Sequence, residues 1–167
     1  GASFVIYDEK KLYHKSEKTI KVKNALETLQ LLAKYHRSKF KIPIIGLTGS
    51  NGKTTSKELI NSVLSQKFNI TSTSNNFNNH IGVPLTILEI NRKTDMAIIE
   101  MGANHLGEID LLCSIADPNI GYITNFGKAH LEGFGGIEGV VKGKSELYEY
   151  IRQKKGIVLV NNDDSIQ

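Results

Sequence analysis

The chain has 167 residues and a mass of 18.5 kDa, which is enough for one hydrophobic core and at most two domains. Its net charge of +4 comes from basic residues scattered among acidic ones, and aromatic residues make up 7%, so nucleic-acid binding through a basic, base-stacking surface is not expected. The apolar runs are shorter than the roughly 20 residues of a membrane helix, and a single cysteine, Cys113, excludes an internal disulfide and favours a cytoplasmic location.

The first part of the chain predicts two short extended segments and one helix. The segments SFVIYD and KTIKV, within about the first 20 residues, are strand-like but carry too few apolar residues to form a core alone. The following stretch, NALETLQLLAKYHRSKF, has leucines at helical spacing, and Asn24 is suited to cap the start of that helix. Pro43 separates this part from the rest.

From Ile44 onwards, strand-like and helix-like segments alternate. The predicted strands lie in PIIGLTG, NITSTS, DMAIIEMG, IGYITN and GIVLVNN. The predicted helices lie in TTSKELINSVLSQKF, PLTILEI, GEIDLLCSIA and IEGVVKGKSELYEYIRQ. In the first of these helices we expect Leu59, Ile60, Val63 and Leu64 to face the core. Apolar strands joined by helical crossovers predict an α/β fold, with a mostly parallel sheet and helices on both of its faces.

The segment GLTGSNGKTTSKE predicts a phosphate-binding loop between a strand and a helix. Gly49 and Gly52 would let the backbone close around phosphates, Lys53 would bind the outer phosphates, and Thr54 would coordinate Mg²⁺. The general pattern has a glycine where this chain has Leu47. The alternative interpretation is an ordinary connection rich in turn residues, but the position of Gly-Lys-Thr-Thr favours a nucleotide-binding loop.

Two further polar residues follow predicted strands. Glu100 ends the strand in DMAIIEMG, where a carboxylate would lie at the ligand-binding edge of a parallel sheet and could hold Mg²⁺. His130 follows the strand in IGYITN, in a glycine-containing loop that suits a position near a ligand. From the residues alone, surface positions remain an alternative for both side chains.

Four segments together resemble the central ATPase domain of the Mur ligases. They are GLTGSNGKTTSKE, NNFNNHIGVPLTIL, IIEMGANHLGEI and ITNFGKAHLEGFGGIEGVVKGKSELY. The family's loop has the form T-G-[ST]-x-G-K-[ST] without the earlier glycine, which accounts for Leu47. The resemblance implies a P-loop NTPase-like fold, with ATP and Mg²⁺ as cofactors.

The resemblance also implies roles for individual residues. Lys144 falls where the family has a lysine carbamylated by CO₂, a change that would turn an ammonium of pKa about 10.4, which offers no lone pair, into an oxygen ligand. Lys142 is a lesser candidate for that position. The implied catalytic residues are Lys53, His130 and Lys144, and the implied metal ligands are Thr54, Glu100, His130 and Lys144. The implied nucleotide-binding residues are Thr48, Gly49, Ser50, Asn51, Gly52, Lys53, Thr54, Thr55 and Asn79.

The resemblance divides the chain at Pro43. Residues 1–42 resemble the end of an N-terminal UDP-substrate-binding domain with a linker helix, and residues 43–167 resemble an incomplete central ATP-binding domain. The C-terminal ligase domain of the family is absent from the sequence. We therefore expect an excised piece of a larger protein, inactive as a ligase when isolated.

Two segments indicate one activity within the family. EMGANHLGEI and NNHIGVPLT are typical of the member that joins D-Ala-D-Ala to UDP-N-acetylmuramoyl-tripeptide, through an acyl phosphate, in peptidoglycan precursor synthesis. We expect a cytoplasmic monomer that binds no nucleic acid and does not insert into membranes. Two alternatives remain open, namely another Mur or folylpolyglutamate-type ligase and a non-catalytic P-loop nucleotide-binding module.

Overall fold

A computed structural model describes residues 2–9, 16–127, 130–164 and 166–167. The strands are β1 (Val5–Tyr7), β2 (Thr19–Lys21), β3 (Ile44–Thr48), β4 (Ile70–Ser72), β5 (Met96–Glu100), β6 (Ile120–Ile123) and β7 (Ile157–Leu159). The helices are α1 (Ala25–Arg37), α2 (Lys53–Leu64), α3 (Gly82–Leu88), α4 (Glu108–Ala116), α5 (Leu131–Phe134) and α6 (Ile137–Gln153). Every strand and helix predicted from the sequence is present, and α5 is an additional short helix in a predicted loop.

The main sheet has the order β4-β5-β3-β6-β7, and all of its strands are parallel, which confirms the predicted α/β fold. Leu47 on the central strand pairs with Glu100 on one side and with Tyr122 on the other. The carboxyl ends of β3, β5 and β6 therefore meet at one edge, where open parallel sheets bind ligands. Strands β1 and β2 form a separate parallel pair.

Helices lie on both faces of the main sheet. A Cβ on Gly46 of β3 would approach Pro118 and Leu147, so this side of the strand faces α4 and α6. Helices α1, α3, α4 and α6 pack against one another on that face, and most of the buried core lies beneath them. Cys113 of α4 belongs to this core, as its apolar neighbours predicted.

The opposite face carries α2, and here one prediction was wrong. Leu59 is 64% exposed and Val63 is 71% exposed, whereas the fully buried side chain of this helix is Lys57. The helical spacing identified the apolar stripe correctly, but no described helix packs on its outer side. The same face of the sheet leaves Ile157 and Leu159 of β7 exposed.

Helix α1 packs on the same face as α3 and α4. Its predicted cap is confirmed, since Asn24 Oδ1 accepts a hydrogen bond from the Glu27 amide at 3.0 Å. At its other end Arg37, which is buried, donates to the backbone oxygens of Ala116 at 3.0 Å and Asp117 at 3.1 Å. Among the described residues no helix combines the length and the apolar character needed to span a bilayer.

Candidate nucleotide-binding site

The predicted phosphate loop connects β3 to α2, as the sequence requires. Gly49 has φ 147°, and a Cβ at this position would overlap Thr124 Oγ1. Gly52 has φ 74° and directly precedes the first turn of α2. Both positive φ angles favour glycine, because other residues are strained there. The glycines thus let the loop turn sharply and bring backbone amides to the start of a helix, where anions bind.

The loop is fastened to the segment that follows β6, a connection that the sequence did not predict. The amide of Ser50 donates to Asn125 O at 3.1 Å, and the amide of Asn51 donates to Asn125 Oδ1 at 3.2 Å. Thr124 Oγ1 donates to Asn51 O at 2.7 Å, and Ser50 Oγ donates to Gly127 O at 2.9 Å. The end of β6 therefore sets the shape of the phosphate loop.

The Lys53 side chain folds back over the phosphate loop. Its Nζ donates to Gly49 O at 2.8 Å and to Ser50 O at 3.4 Å. Burial lowers the pKa of Lys53, while the negative charge of Glu100 acts in the opposite direction. An ammonium has three N–H donors, so Lys53 can form a charge-assisted hydrogen bond to a phosphate in addition to its bonds to these two carbonyl oxygens.

Glu100 lies beside the loop at the end of β5 and is 1% exposed. Its Oε2 accepts from Thr54 Oγ1 at 3.0 Å, and its Oε1 accepts from Asn78 Nδ2 at 2.8 Å. The amide of Glu100 donates to Thr73 Oγ1 at 2.9 Å. A carboxylate beside a hydroxyl is a set of hard oxygen donors that suits Mg²⁺, which usually takes one or two carboxylates together with substrate phosphates.

A second layer of residues holds Glu100, and sequence reasoning missed it. Lys57 is 1% exposed, and its Nζ donates to Thr73 O at 2.6 Å and contacts Glu58 Oε1 at 2.8 Å. Asn78 was also missed, although it lies directly before the predicted Asn79. A lysine one turn after Lys53 and two adjacent asparagines are visible in the sequence, but their partners come from distant strands.

Two of the predicted nucleotide-binding residues make structural contacts. Asn79 Oδ1 accepts from the amides of Ile81 at 3.0 Å and Gly82 at 2.9 Å, which caps the start of α3. Thr48 is buried, and its Oγ1 donates to Met101 O at 2.8 Å, which links β3 to β5. Their contact with a nucleotide stays a prediction.

His130 lies at the same edge of the sheet. It has φ 57°, is exposed, and directly precedes α5. It lines a cavity of about 450 Å³ that Lys53 also lines. An adjoining cavity of about 350 Å³ lies over the phosphate loop and shares Lys53 and Asn78 with the first. The structure therefore brings His130 and the loop to one open space.

Lys144 lies on α6 and is 1% exposed. Its Nζ lies 5.4 Å from the centroid of the Phe134 ring. Burial lowers the pKa of Lys144 to about 8, and the positive charge of Lys53 adds to this effect. Lys144 does not line the two cavities described above. Lys142, the lesser candidate, is exposed.

Within the described ranges, no three histidine, cysteine, aspartate or glutamate side chains are grouped so that they could hold a metal ion. The cavity over the loop is lined by Ser50, Asn51, Gly52, Lys53, Thr54, Thr55, Asn78 and Glu100. One carboxylate, one hydroxyl and one ammonium at a phosphate loop can bind the phosphates of a nucleotide together with a cation that the phosphates help to hold.

Comparisons with known proteins give a matching family model and several relatives. The family model described as the Mur ligase middle domain matches residues 47–167. A UDP-N-acetylmuramoyl-tripeptide–D-alanyl-D-alanine ligase of Bacillus subtilis is 39% identical over 148 residues, 89% of this chain and 32% of the relative. One of Synechocystis is 44% identical over 145 residues, 87% of this chain and 32% of the relative.

Solved structures give the same result. The crystal structure of a MurF ligase from Thermotoga maritima in complex with ADP matches with a TM-score of 0.84 and 33% identity. The match covers 98% of this chain and 38% of that structure. The chain thus spans about a third of the length of the curated relatives that it matches.

Proposed function

Because the chain belongs to the Mur ligase family, whose middle domain it matches over residues 47–167, we propose that it is the ATP-binding part of a peptidoglycan-precursor ligase. The ligase would join D-Ala-D-Ala to UDP-N-acetylmuramoyl-tripeptide, the activity in the names of the B. subtilis and Synechocystis relatives. Residues 43–167 would form an incomplete central domain, and residues 1–42 the end of a substrate-binding domain with its linker helix. A cytoplasmic, monomeric enzyme stays a prediction.

One observation carries the proposal. Glu100 is bonded at the same time to Thr54 of the phosphate loop and to Asn78, so a buried carboxylate lies directly beside that loop. The ammonium of Lys53 is bound to the same loop. A lysine that offsets phosphate charge and a carboxylate that can hold Mg²⁺ are the parts that phosphoryl transfer uses, since its catalysis rests mainly on alignment and charge neutralisation.

The reaction would begin when the tripeptide carboxylate attacks the γ-phosphate of ATP, giving an acyl phosphate and ADP. The amine of D-Ala-D-Ala would then attack the activated carbonyl and release phosphate. Because a carboxylate and a triphosphate repel each other, the residues around them must reduce that repulsion. Lys53 and the loop amides would hold the phosphates, and Thr54 and Glu100 would orient them through a shared Mg²⁺, which supplies charge neutralisation when bound.

His130 and Lys144 would serve the substrate side of the same edge. A lysine pKa of about 8 gives Lys144 a far larger neutral fraction near physiological pH than an ordinary lysine has, and only a neutral amine reacts with CO₂ to form a carbamate. Carbamylated Lys144 and His130 would then offer an oxygen and a nitrogen ligand beside Lys53. Asn79 would contribute its amide nitrogen to the nucleotide while its oxygen caps α3.

The proposal is tested at two levels. Calorimetry of this chain with ATP, with and without Mg²⁺, measures nucleotide binding, and we expect Mg²⁺ to strengthen it. Release of phosphate by the full-length ligase is then measured with both peptide substrates present and with each omitted. Phosphate release that requires both substrates supports the ligase, whereas binding of ATP without such release would favour a nucleotide-binding module.

A further inference from the structure

Helix α5 joins His130 to the aromatic residue Phe134. The amide of Phe134 donates to His130 O at 3.2 Å, and the amide of Gly136 donates to Leu131 O at 2.9 Å. These bonds close one helical turn, so the backbones of His130 and Phe134 belong to the same turn.

Phe134 of α5 is 5% exposed, and its side chain packs against α6 at two glycines, Gly139 and Gly143, which we call the glycine notch. A Cβ on Gly143 would overlap Cε1 of the Phe134 ring, and a Cβ on Gly139 would overlap Phe134 O. The two glycines are four residues apart and so lie on the same face of the helix. Any larger residue in the notch would push α5 away from α6.

The notch directly precedes Lys144 on α6. The Phe134 ring centroid lies 5.4 Å from Lys144 Nζ, within the range of a cation–π contact. On its other side α5 meets the loop after β5, because a Cβ on Gly133 would overlap Asn104 O. Helix α5 is thus held between that loop and α6. His130 precedes this helix in the chain, and Lys144 contacts the ring at its end.

We propose that Phe134 is a positioning residue that orders the Lys144 side chain. This inference rests on the proposed function for the role of Lys144. Phe134 lines neither of the cavities at the phosphate loop, so it acts through its neighbours. Its ring limits the rotamers of a long, flexible lysine before any ligand arrives, and a side chain ordered in advance loses less entropy when it binds.

The test measures the order of individual lysine side chains by NMR relaxation of ¹³C-labelled lysine in the whole chain. Lys57 is the internal control, because it is equally buried but lies on α2, on the opposite face of the sheet. In Phe134→Ala and in Gly143→Ala we expect the order parameter of the Lys144 Cε to fall by about a third, because a side chain that loses its packing partner moves more on the picosecond-to-nanosecond timescale. The order parameter of Lys57 should not change.

Gly121→Ala is the matched control variant. A Cβ on Gly121 would lie 3.0 Å from Ile151 Cγ1, so it strains the packing of α6 on the sheet without contact to Phe134. We expect this variant to leave Lys144 ordered. Three results would overturn the proposal: Lys144 stays ordered without the ring, Lys57 loses order to the same extent, or Gly121→Ala has the same effect as Gly143→Ala.

Phe134→Leu provides a rescue, because leucine keeps an apolar group in the notch. Lys144 should then recover part of its order, and full loss in this variant would contradict packing as the cause. The experiment needs no nucleotide and no peptide substrate. A negative result therefore leaves the proposed ligase function in place, and a failed ligation assay leaves the measured order of Lys144 unaffected.

Discussion

The two sides of the candidate site are built by different physical means. On the phosphate side, Lys53, Thr54 and Glu100 are held by hydrogen bonds among the ends of parallel strands and the loop between them. On the other side, His130 directly precedes the short helix α5, Lys144 lies on α6, and the Phe134 ring of α5 lies 5.4 Å from Lys144 Nζ.

The difference indicates how each side should respond to change. Loss of a single hydrogen bond to a buried carboxylate should have a large effect, because the partner that remains is left unsatisfied. Packing of an aromatic ring depends on shape, so its loss should change the order of side chains more than the charge of the site. Each of the following predictions tests one side against the other.

The largest expected effect is on the phosphate side. Lys53→Ala should weaken ATP binding by about 10–150-fold, corresponding to roughly 1.5–3 kcal/mol for the loss of a hydrogen bond between charged groups. Calorimetry of the chain measures this. Lys67→Ala, which removes an exposed lysine just beyond the same helix, is the control and should bind ATP as the unmodified chain does. Equal losses in both variants would show that only overall charge matters.

Glu100→Gln should remove the part of ATP affinity that depends on Mg²⁺, about 10–100-fold, and leave binding without Mg²⁺ nearly unchanged. The reason is that an amide keeps the shape of the carboxylate but not its charge. Asn78→Ala should weaken the same component by less, since Asn78 holds Glu100 through one hydrogen bond. If the affinity of either variant for ATP falls as much without Mg²⁺ as with it, the substitution has disturbed the phosphate loop itself.

Burial of Lys144, on the other side of the site, should make the free energy of unfolding depend on pH. The folded-state pKa of Lys144 is about 8, against an ordinary lysine value of 10.5. Between these values the unfolded chain binds more protons at this lysine, so Lys144 contributes a rise in the free energy of unfolding with pH across this window, by at most about 1.4 kcal/mol per pH unit. Buried Cys113, whose pKa is raised, contributes a fall at the upper end of the window and is unchanged in the comparison below. Below pH 8 the full penalty of the buried charge is present.

Lys144→Met should remove this rise, because methionine fills similar space but has no group that titrates. Urea unfolding at several pH values between about 8 and 10.5 provides the measurement. Lys142→Met, an exposed neighbour on α6, is the control and should keep the rise. Parallel curves for the unmodified chain and Lys144→Met would mean that Lys144 is not buried as a cation.

The smallest effects concern Asn79, which connects the site to α3. Asn79→Ala should lower the free energy of unfolding by about 1 kcal/mol, the usual cost of a lost helix cap. Asn79→Asp keeps the capping oxygen but replaces the amide donor by a negative charge, so stability should be retained while ATP affinity falls at least about fivefold. Unchanged affinity in Asn79→Asp would limit this residue to capping.

Much of the fold followed from sequence because its signals are local. Asn24 caps α1, Gly49 and Gly52 shape the loop, and apolar runs between helical patterns mark the parallel strands. The orientation of α2 did not follow. Its apolar stripe was visible, but whether Leu59 and Val63 are buried depends on what packs outside the helix, and helical spacing does not contain that information.

The candidate site divides in the same way. The sequence by itself determined the phosphate loop with Lys53 and Thr54, and the strand-end position of Glu100, because the loop and the strand end are encoded by consecutive residues. Only the tertiary structure decided that Asn78 is bonded to Glu100, and that Lys57 supports Glu100 through Thr73. It alone also placed the Phe134 ring against Lys144, since these contacts join residues from different elements and depend on how sheet, loop and helix pack together.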